Sequence, residues 1–466
     1  MPSRRAFFFV SLAVLFAILA VATHRWRRTG ACVTQTVTHI ERTKPAFPLH
    51  LEAGHRYLVD RNGLPFLIYG DAAWSLVAQV TREQAETYLE DRRRRGFNLV
   101  LVNLIEHRYA DHAPLNAYGQ APFLVAGDFS TPSDTYFSYA EWLVTRAAAK
   151  GFVVLLCPAY LGGDGGPDGW YQEMVKNGVS KLHAYGEYVG SHFRQFDNVI
   201  WINGGDFTPP ALNLVLVDAV AEGIKRTSPQ QLQTAHFSPE TSGTDVKVSG
   251  WVDLNTTYTY EPVYLRSLVD YRQDHSRPHF LVESNYEEER GSSPSSIRGQ
   301  AYYALLTGAA GQVFGNRWIW QFTSPNPWRR LLRRTWTTAL DSPGARSMSH
   351  VRELFDGLDW TSLVPDDTYE VLVGGQTMKG TLEYAVLAWD RNGRIAVVYL
   401  PTVRDIAIDL GRLSGPIRAR WFDPTRGTFI DVAGSPLNAA GVRQFRPLGK
   451  NAAGDTDWIL LLEKAI

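Results

Sequence analysis

The chain has 466 residues, 45% of them apolar and 20% charged, a balance that excludes a mostly disordered chain and a multispanning membrane protein. That length exceeds the needs of one ordinary core and fits a large domain with a smaller companion. The formal net charge of +0 supplies no overall field toward polyanions, so nucleic acid is not an expected partner.

The N-terminus carries an uncharged apolar run, AFFFVSLAVLFAILAVAT, between Arg4-Arg5 and the group Arg25, Arg27 and Arg28. The run is just long enough to span a bilayer. Ala20-Val21-Ala22 has the small-x-small form of a signal-peptidase site, so both a cleaved export signal and an uncleaved signal anchor fit, the flanking arginines favouring the anchor. Lipid attachment at Cys32 is the weakest option, because charges separate it from the apolar run. Every version puts the body of the protein outside the cytoplasm. Cys32 and Cys157 are the only cysteines, so no disulfide framework exists. The expected order is an export or anchor segment over 1–28, a polar flexible linker over 29–44, a barrel over 45–360 and a β-domain over 361–466.

Ordered structure is expected from the hairpin HRYLVDRNGLP, with Asn62-Gly63 at its turn. From Phe66 onward, short β-type runs alternate with amphipathic stretches, the pattern of βα units around a parallel sheet. The strands are read at Phe66–Gly70, Asn98–Asn103, Phe152–Cys157, Asn198–Asn203, Leu232–Phe237, Leu254–Tyr260, His279–Val282 and Gln312–Gly315. Helices are read at Arg82–Arg95, Tyr136–Lys150, Lys181–Arg194, Asn213–Arg226, Val263–Asp274, Ile297–Thr307 and Ser347–Asp356, the last reached through a Trp- and Arg-rich segment after Phe322. About eight strands is the barrel number, so the predicted fold is an α/β (β/α)8 TIM barrel. After Pro365, short strands and turns such as Asp390-Arg391-Asn392-Gly393 indicate a small all-β sandwich with one buried face.

In such barrels the residues just after each strand line the active site, and here they are polar and aromatic. They are Asp71 and Trp74, Asn103 and Glu106, Asp206, His236, Tyr258 and Tyr260, Glu283 with Asn285 and Tyr286, and Asn316 with Trp318 and Trp320. Cleaving an acetal between sugars needs an acid for the leaving oxygen and a second carboxylate at the oxocarbenium-like centre. Asp206 after strand four and Glu283 after strand seven face across the mouth and fill those roles. Aromatic faces pack against sugar C–H surfaces while polar neighbours bond the hydroxyls.

Each residue also has a plainer explanation. Asp206 after two glycines suits a turn or a helix cap, and Glu283 suits a strand-end ion pair. Asp71 either orients substrate or caps the next helix; His236 either contacts substrate or sits hydrogen-bonded in the core. Glu106 and Glu287 are spare carboxylates able to exchange roles with the chosen pair. The loop from His107 to His112 lacks a recognised ligand spacing, so no metal is expected, nor any other cofactor. The Gly162–Gly166 loop matches no phosphate-binding fingerprint and reads as a flexible loop at the mouth. Neither G-x-S-x-G nor HExxH occurs.

The stretches YLVDRNGLPFLIYGDAAWSL, RGFNLVLVN, PLNAYGQAPF, NVIWINGGD and HFLVESNYE, in that order, resemble apiosidase-like glycoside hydrolases of family 140. The tail, with LFDGLDWTSLVPDD and RWFDPTRGTF, resembles the β-domain named for collagen binding that accompanies those barrels. The resemblance implies Asp206 as acid/base and Glu283 as nucleophile, acting on a carbohydrate, and draws Tyr118 of PLNAYGQAPF into the substrate-facing set. Asp71-Ala-Ala-Trp74 stands where many relatives carry Asp-Thr-Ala-Trp. The rival reading is a surface protein that binds carbohydrate or matrix with an inactive barrel.

Overall fold

The computed structural model describes residues 35–36, 43–273, 276–323 and 335–465. The apolar run, Cys32 and most of the Trp- and Arg-rich segment lie outside these residues. Among the described residues no helix is long and apolar enough to cross a membrane.

Strand β1 (Gln35–Thr36) is followed by β2 (His50–Leu51), β3 (Leu58–Val59) and β4 (Pro65–Phe66). The last three form a small antiparallel sheet that includes the expected hairpin. Order therefore begins before His55, and Gln35–Thr36 lies within what the sequence suggested was a flexible linker. Leu49, Leu58 and Phe66 pack with the barrel-interior residues at the starts of the parallel strands, closing the end opposite the site.

Eight parallel strands follow, β5 (Ile68–Ala72), β6 (Leu99–Asn103), β7 (Val153–Cys157), β8 (Val199–Gly204), β9 (Gln233–His236), β10 (Asn255–Tyr258), β11 (His279–Glu283) and β12 (Gly311–Phe314). They are joined in the order β10-β11-β12-β5-β6-β7-β8-β9. The ends of that order meet at a polar seam. There the Thr234 hydroxyl donates to the Leu254 carbonyl (2.7 Å), the Thr256 hydroxyl to the Ala235 carbonyl (2.6 Å), and the Asp253 N–H to the Gln233 carbonyl (2.8 Å). These bonds pair the buried hydroxyls of β9 and β10 and explain how so polar a pair of strands serves a core.

The helices are α1 (Leu76–Gln79), α2 (Arg82–Arg94), α3 (Asp134–Ala149), α4 (Tyr171–Phe193, broken at Gly178), α5 (Leu214–Thr227), α6 (Val263–Gln273), α7 (Pro294–Leu306), α8 (Trp336–Ala339) and α9 (Pro343–Asp356). Sequence sets their starts. Thr81 and Gln84 form a reciprocal capping box on α2, as Ser293 and Ser296 do on α7, whose first residue is proline.

The tail holds a seven-stranded antiparallel sheet, in chain order β1, β13 (Leu363–Pro365), β15 (Val386–Asp390), β16 (Ile395–Leu400), β18 (Ile417–Asp423), β19 (Thr428–Asp431) and β21 (Trp458–Lys464). A three-stranded sheet of β14 (Leu372–Gly374), β17 (Ile406–Asp409) and β20 (Val442–Phe445) packs on it. Leu387, Trp389, Val398 and Leu460 fill the space between the sheets, while Val386, Val397, Tyr399 and Leu461 join the core around the barrel helices. The large sheet is thus buried on both faces, where the sequence suggested one. The alternation survives because each strand sends odd and even residues to two different cores.

Across that junction the Arg298 guanidinium, 1% exposed, binds Asp457 (2.6 Å) and Asp455 (2.7 Å). The Tyr303 hydroxyl donates to the carbonyls of Leu382 and Tyr384, and Tyr302 stacks on Tyr399 at 5.2 Å. Breaking the ion pair would leave a carboxylate buried without its countercharge.

Candidate active site

Gly204 closes β8 at φ +109 and Gly205 follows at φ +128. A Cβ on Gly204 would lie 2.0 Å from the His236 carbonyl oxygen, and one on Gly205 would lie 2.2 Å from the Tyr160 ring. Only glycine fits at both. The bend delivers Asp206, itself at φ +34, over the barrel mouth. A non-glycine residue in that region is strained and needs surrounding contacts to hold it.

Those contacts are specific. The Tyr160 hydroxyl donates to Asp206 Oδ2 (2.8 Å), and the Asp206 backbone N–H donates to His236 Nδ1 (3.1 Å). Since Nδ1 accepts, the neutral ring carries its proton on Nε2, which donates to Glu283 Oε2 at 3.2 Å. A carboxylate oxygen of Asp206, a ring nitrogen of His236 and a carboxylate oxygen of Glu283 lie within 4.8 Å of one another. This is the only such carboxylate and imidazole cluster among the described residues. Asp206 Oδ1 is buried with no hydrogen-bond partner, an acceptor left for something else.

Glu283 ends β11 with its side chain 8% exposed, against 29% for Asp206. Burial, then the charge of Asp206, pushes its carboxyl up to about 7, against the hydrogen bonds from His236 and Tyr286. The Tyr260 hydroxyl reaches Glu283 Oε1 at 3.3 Å and the Tyr258 hydroxyl at 2.7 Å. Burial and the nearby carboxylates hold Tyr160, Tyr258, Tyr260 and Tyr286 well above the ordinary phenol pKa, so they serve as donors. For His236, burial pushes the imidazole down, but the Glu283 bond and the charges of Asp206 and Glu283 carry it above its usual value. Protonating Nδ1 would still forfeit the Asp206 N–H bond. The same bond disfavours a metal in this trio, because Nε2 presents a proton and not a lone pair to Glu283.

Trp74 lies beneath, its Nε1–H donating to the Tyr286 hydroxyl (2.9 Å) and its ring 5.7 Å from His236 and 5.8 Å from Tyr160. Asn285 lies beside the pair, donating to the Tyr260 carbonyl (3.3 Å). Trp320 stands on the rim against Tyr109, its Nε1–H bonded to Glu289 (2.8 Å).

Other expected residues go elsewhere. Asp71 points outward into the helix layer, bonded to Arg92 (2.6 Å) and the Tyr88 hydroxyl (2.7 Å) of α2, because alternate residues 68, 70 and 72 take the interior of β5. Glu106 gathers the backbone N–H groups of His107, Arg108 and Tyr109, with Ser75 and Asn103 on its other oxygen. Asn103 gives its amide N–H to that bond, and its Oδ1 is buried without a hydrogen-bond partner. Glu287 accepts from the Gly344 N–H at the start of α9 (2.6 Å) and from Asn316 (2.9 Å). Neither spare carboxylate faces a partner acid, and Asn316 serves the loop. Tyr118 contacts Arg82 and Tyr139 on the outer helices.

Three features escaped the reading of the sequence. Tyr160 follows β7 by three residues, so the strand-end rule could have found it. Arg290 lies 3.9 Å over the Tyr260 ring, with no motif to mark it. Asp168 binds the Tyr109 hydroxyl and the Gly163 N–H. With a Cβ on Gly169 only 2.1 Å from Gly162 N, the Gly162–Gly166 loop is tightly packed, not loose.

The family model of the apiosidase-like catalytic domain matches residues 52–362, two thirds of the chain and all eight parallel strands. The chain belongs to this family. Its barrel is thus a glycoside hydrolase catalytic domain of the apiosidase-like family, and a model named for the collagen-binding domain of a collagenase matches residues 364–463. A solved structure named "Glycoside hydrolase" is similar at 22% identity and a TM-score of 0.77, over 91% of this chain and 99% of that one. A glycoside hydrolase family 5 protein from Bacteroides vulgatus ATCC 8482 is similar at 21% identity and a TM-score of 0.77, over 92% and 96%. Both likenesses extend through the barrel and the β-domain and describe the shared fold. No curated protein matches in sequence.

Proposed function

We propose that this apiosidase-like hydrolase is a retaining enzyme of the cell exterior, with Glu283 as nucleophile and Asp206 as acid/base. One observation carries the reading: a carboxylate oxygen of Asp206 and one of Glu283 lie within 4.8 Å of each other. Retaining sites hold their carboxyls roughly 5–5.5 Å apart, whereas inverting sites leave about 6.5–9.5 Å for a water. The Gly-Gly bend compensates for the short aspartate side chain.

Glu283 attacks the anomeric carbon while Asp206 gives its proton to the leaving oxygen. Asp206 then takes a proton from the water that releases the sugar with its configuration retained. In the free site burial and the charge of Asp206 favour the protonated form of Glu283, while the hydrogen bonds from His236 and Tyr286 favour the ionised form that attacks. Trp74, Tyr258, Tyr260, Asn285, Tyr286 and Trp320 line the sugar.

The test is hydrolysis of aryl glycosides, apiosides among them, and of polysaccharides by the chain from Pro45, beside Asp206→Asn and Glu283→Gln. Release that both variants lose by about 10³-fold or more, with retained configuration in the first product by NMR, supports the reading. An inverted product overturns it. The apolar run over 6–23 is proposed as a signal anchor that holds the enzyme outside the cytoplasm. Release of active protein from membranes by alkaline carbonate, without detergent, overturns the anchor.

A further inference from the structure

Between the barrel rim and the β-domain lies a cleft of about 610 Å³, within the range of roughly 300–1,000 Å³ typical of small-molecule sites. Tyr260, Asn285 and Gln300 form its barrel wall, and Tyr399, Asp455 and Thr456 its β-domain wall. The barrel wall runs back to the catalytic pair. Tyr260 reaches Glu283 with its hydroxyl, Asn285 donates to the Tyr260 carbonyl, and Gln300 donates to the Asn285 carbonyl at 3.0 Å.

The cleft is built, because the domains are locked on either side of it by Arg298 and its two aspartates. Gly299 admits the Tyr399 hydroxyl so closely that a Cβ there would lie 2.7 Å from it. That hydroxyl belongs to a side chain 3% exposed and faces the cleft. The charged groups of the lining are Glu261, Asp455 and Asp457, the two aspartates being paired with Arg298. Amides and hydroxyls beside the rings of Tyr260, Tyr303 and Tyr399 suit the hydroxyls and C–H faces of uncharged sugars.

We infer that this interdomain cleft binds further uncharged sugar residues of the glycan whose scissile bond lies between Asp206 and Glu283, so that the β-domain supplies part of the substrate site. The inference rests on the glycosidase reading, and its test is kept separable from that reading.

Binding of neutral gluco-, manno-, xylo- and galacto-oligosaccharides of one to six residues is measured by calorimetry on the full chain in detergent, in an Asp206→Asn background. Thr456→Trp fills the cleft from an exposed position, and Tyr399→Phe removes only a hydroxyl from the cleft wall. For at least one series, affinity should rise tenfold or more with length. Thr456→Trp should abolish that gain and Tyr399→Phe reduce it about fivefold, with binding of the shortest member unchanged. A gain that survives in both variants, or no length dependence in any series, overturns the inference. Hydrolysis is scored separately on the wild type: length-dependent binding lost in Thr456→Trp without hydrolysis of any glycoside refutes the glycosidase reading and leaves the cleft standing as a glycan site.

Discussion

Replacing Glu283 by glutamine should make the protein more stable, by an amount that grows as the pH rises from about 4.5 through 7. The carboxyl rises from 4.5 to about 7 on folding, and at ~1.4 kcal/mol per pH unit that is roughly 3 kcal/mol. The folded chain binds this proton more tightly than the unfolded chain. Its stabilising effect is therefore fully present below about pH 4.5 and lost as the pH rises through 7. His236, whose pKa also rises beside Glu283, moves the balance in the same direction. Glutamine does not titrate; its amide meets the donors of His236 and Tyr260 imperfectly, an offset of about 1 kcal/mol that does not vary with pH. Urea unfolding of both proteins at pH 4.5, 6 and 8, followed by circular dichroism, gives the difference directly. The variant should gain about 3 kcal/mol on the wild type between the two ends. A difference flat within ~1 kcal/mol, or one that shrinks as pH rises, would refute the account of Glu283 as a carboxylate held against its burial.

Gly205→Ala should lose activity at least about 10²-fold and ~2 kcal/mol or more of stability by steady-state kinetics and thermal melting; Gly63→Ala, at positive φ in an open turn, should lose only ~1 kcal/mol and no activity. His236→Phe removes a bond that lowers the Glu283 pKa, so on a dinitrophenyl glycoside the acidic limb of kcat/KM should move to higher pH than the wild type's limb near 7, with kcat down about 10²-fold; an unmoved limb counts against the bond. Arg298→Met should cost about 3–5 kcal/mol by leaving Asp457 buried and unpaired, and should open the domain junction to limited proteolysis; adding Asp457→Leu should recover most of the loss.

All eight barrel strands were legible because apolar runs alternated with capped amphipathic stretches, a pattern that one-residue errors do not disturb. Side-chain direction was not. Parallel strands buried on both faces show no alternation, so nothing in IYGDA tells that Asp71 points to Arg92 while its neighbours point inward. Glu106, Glu283 and Glu287 also look alike as acids at strand ends. What separates them is whether nearby backbone N–H groups consume the carboxylate, and that depends on loop paths. The Asp206–Glu283 pairing was readable from strand order alone, whereas the closeness of the two groups depends on the left-handed turn through Gly204 and Gly205.

The short strand Gln35–Thr36 pairs with Phe429 and Thr428 at the outer edge of the large sheet, so the N-terminal segment meets the β-domain at one defined edge. With the apolar run over 6–23 in a bilayer, the chain from His24 to Gln35 reaches at most roughly 40 Å even fully extended. If the proposed anchor sits in a bilayer, that edge of the β-domain lies within this reach of the lipid surface and the barrel can act only on glycan that comes to it.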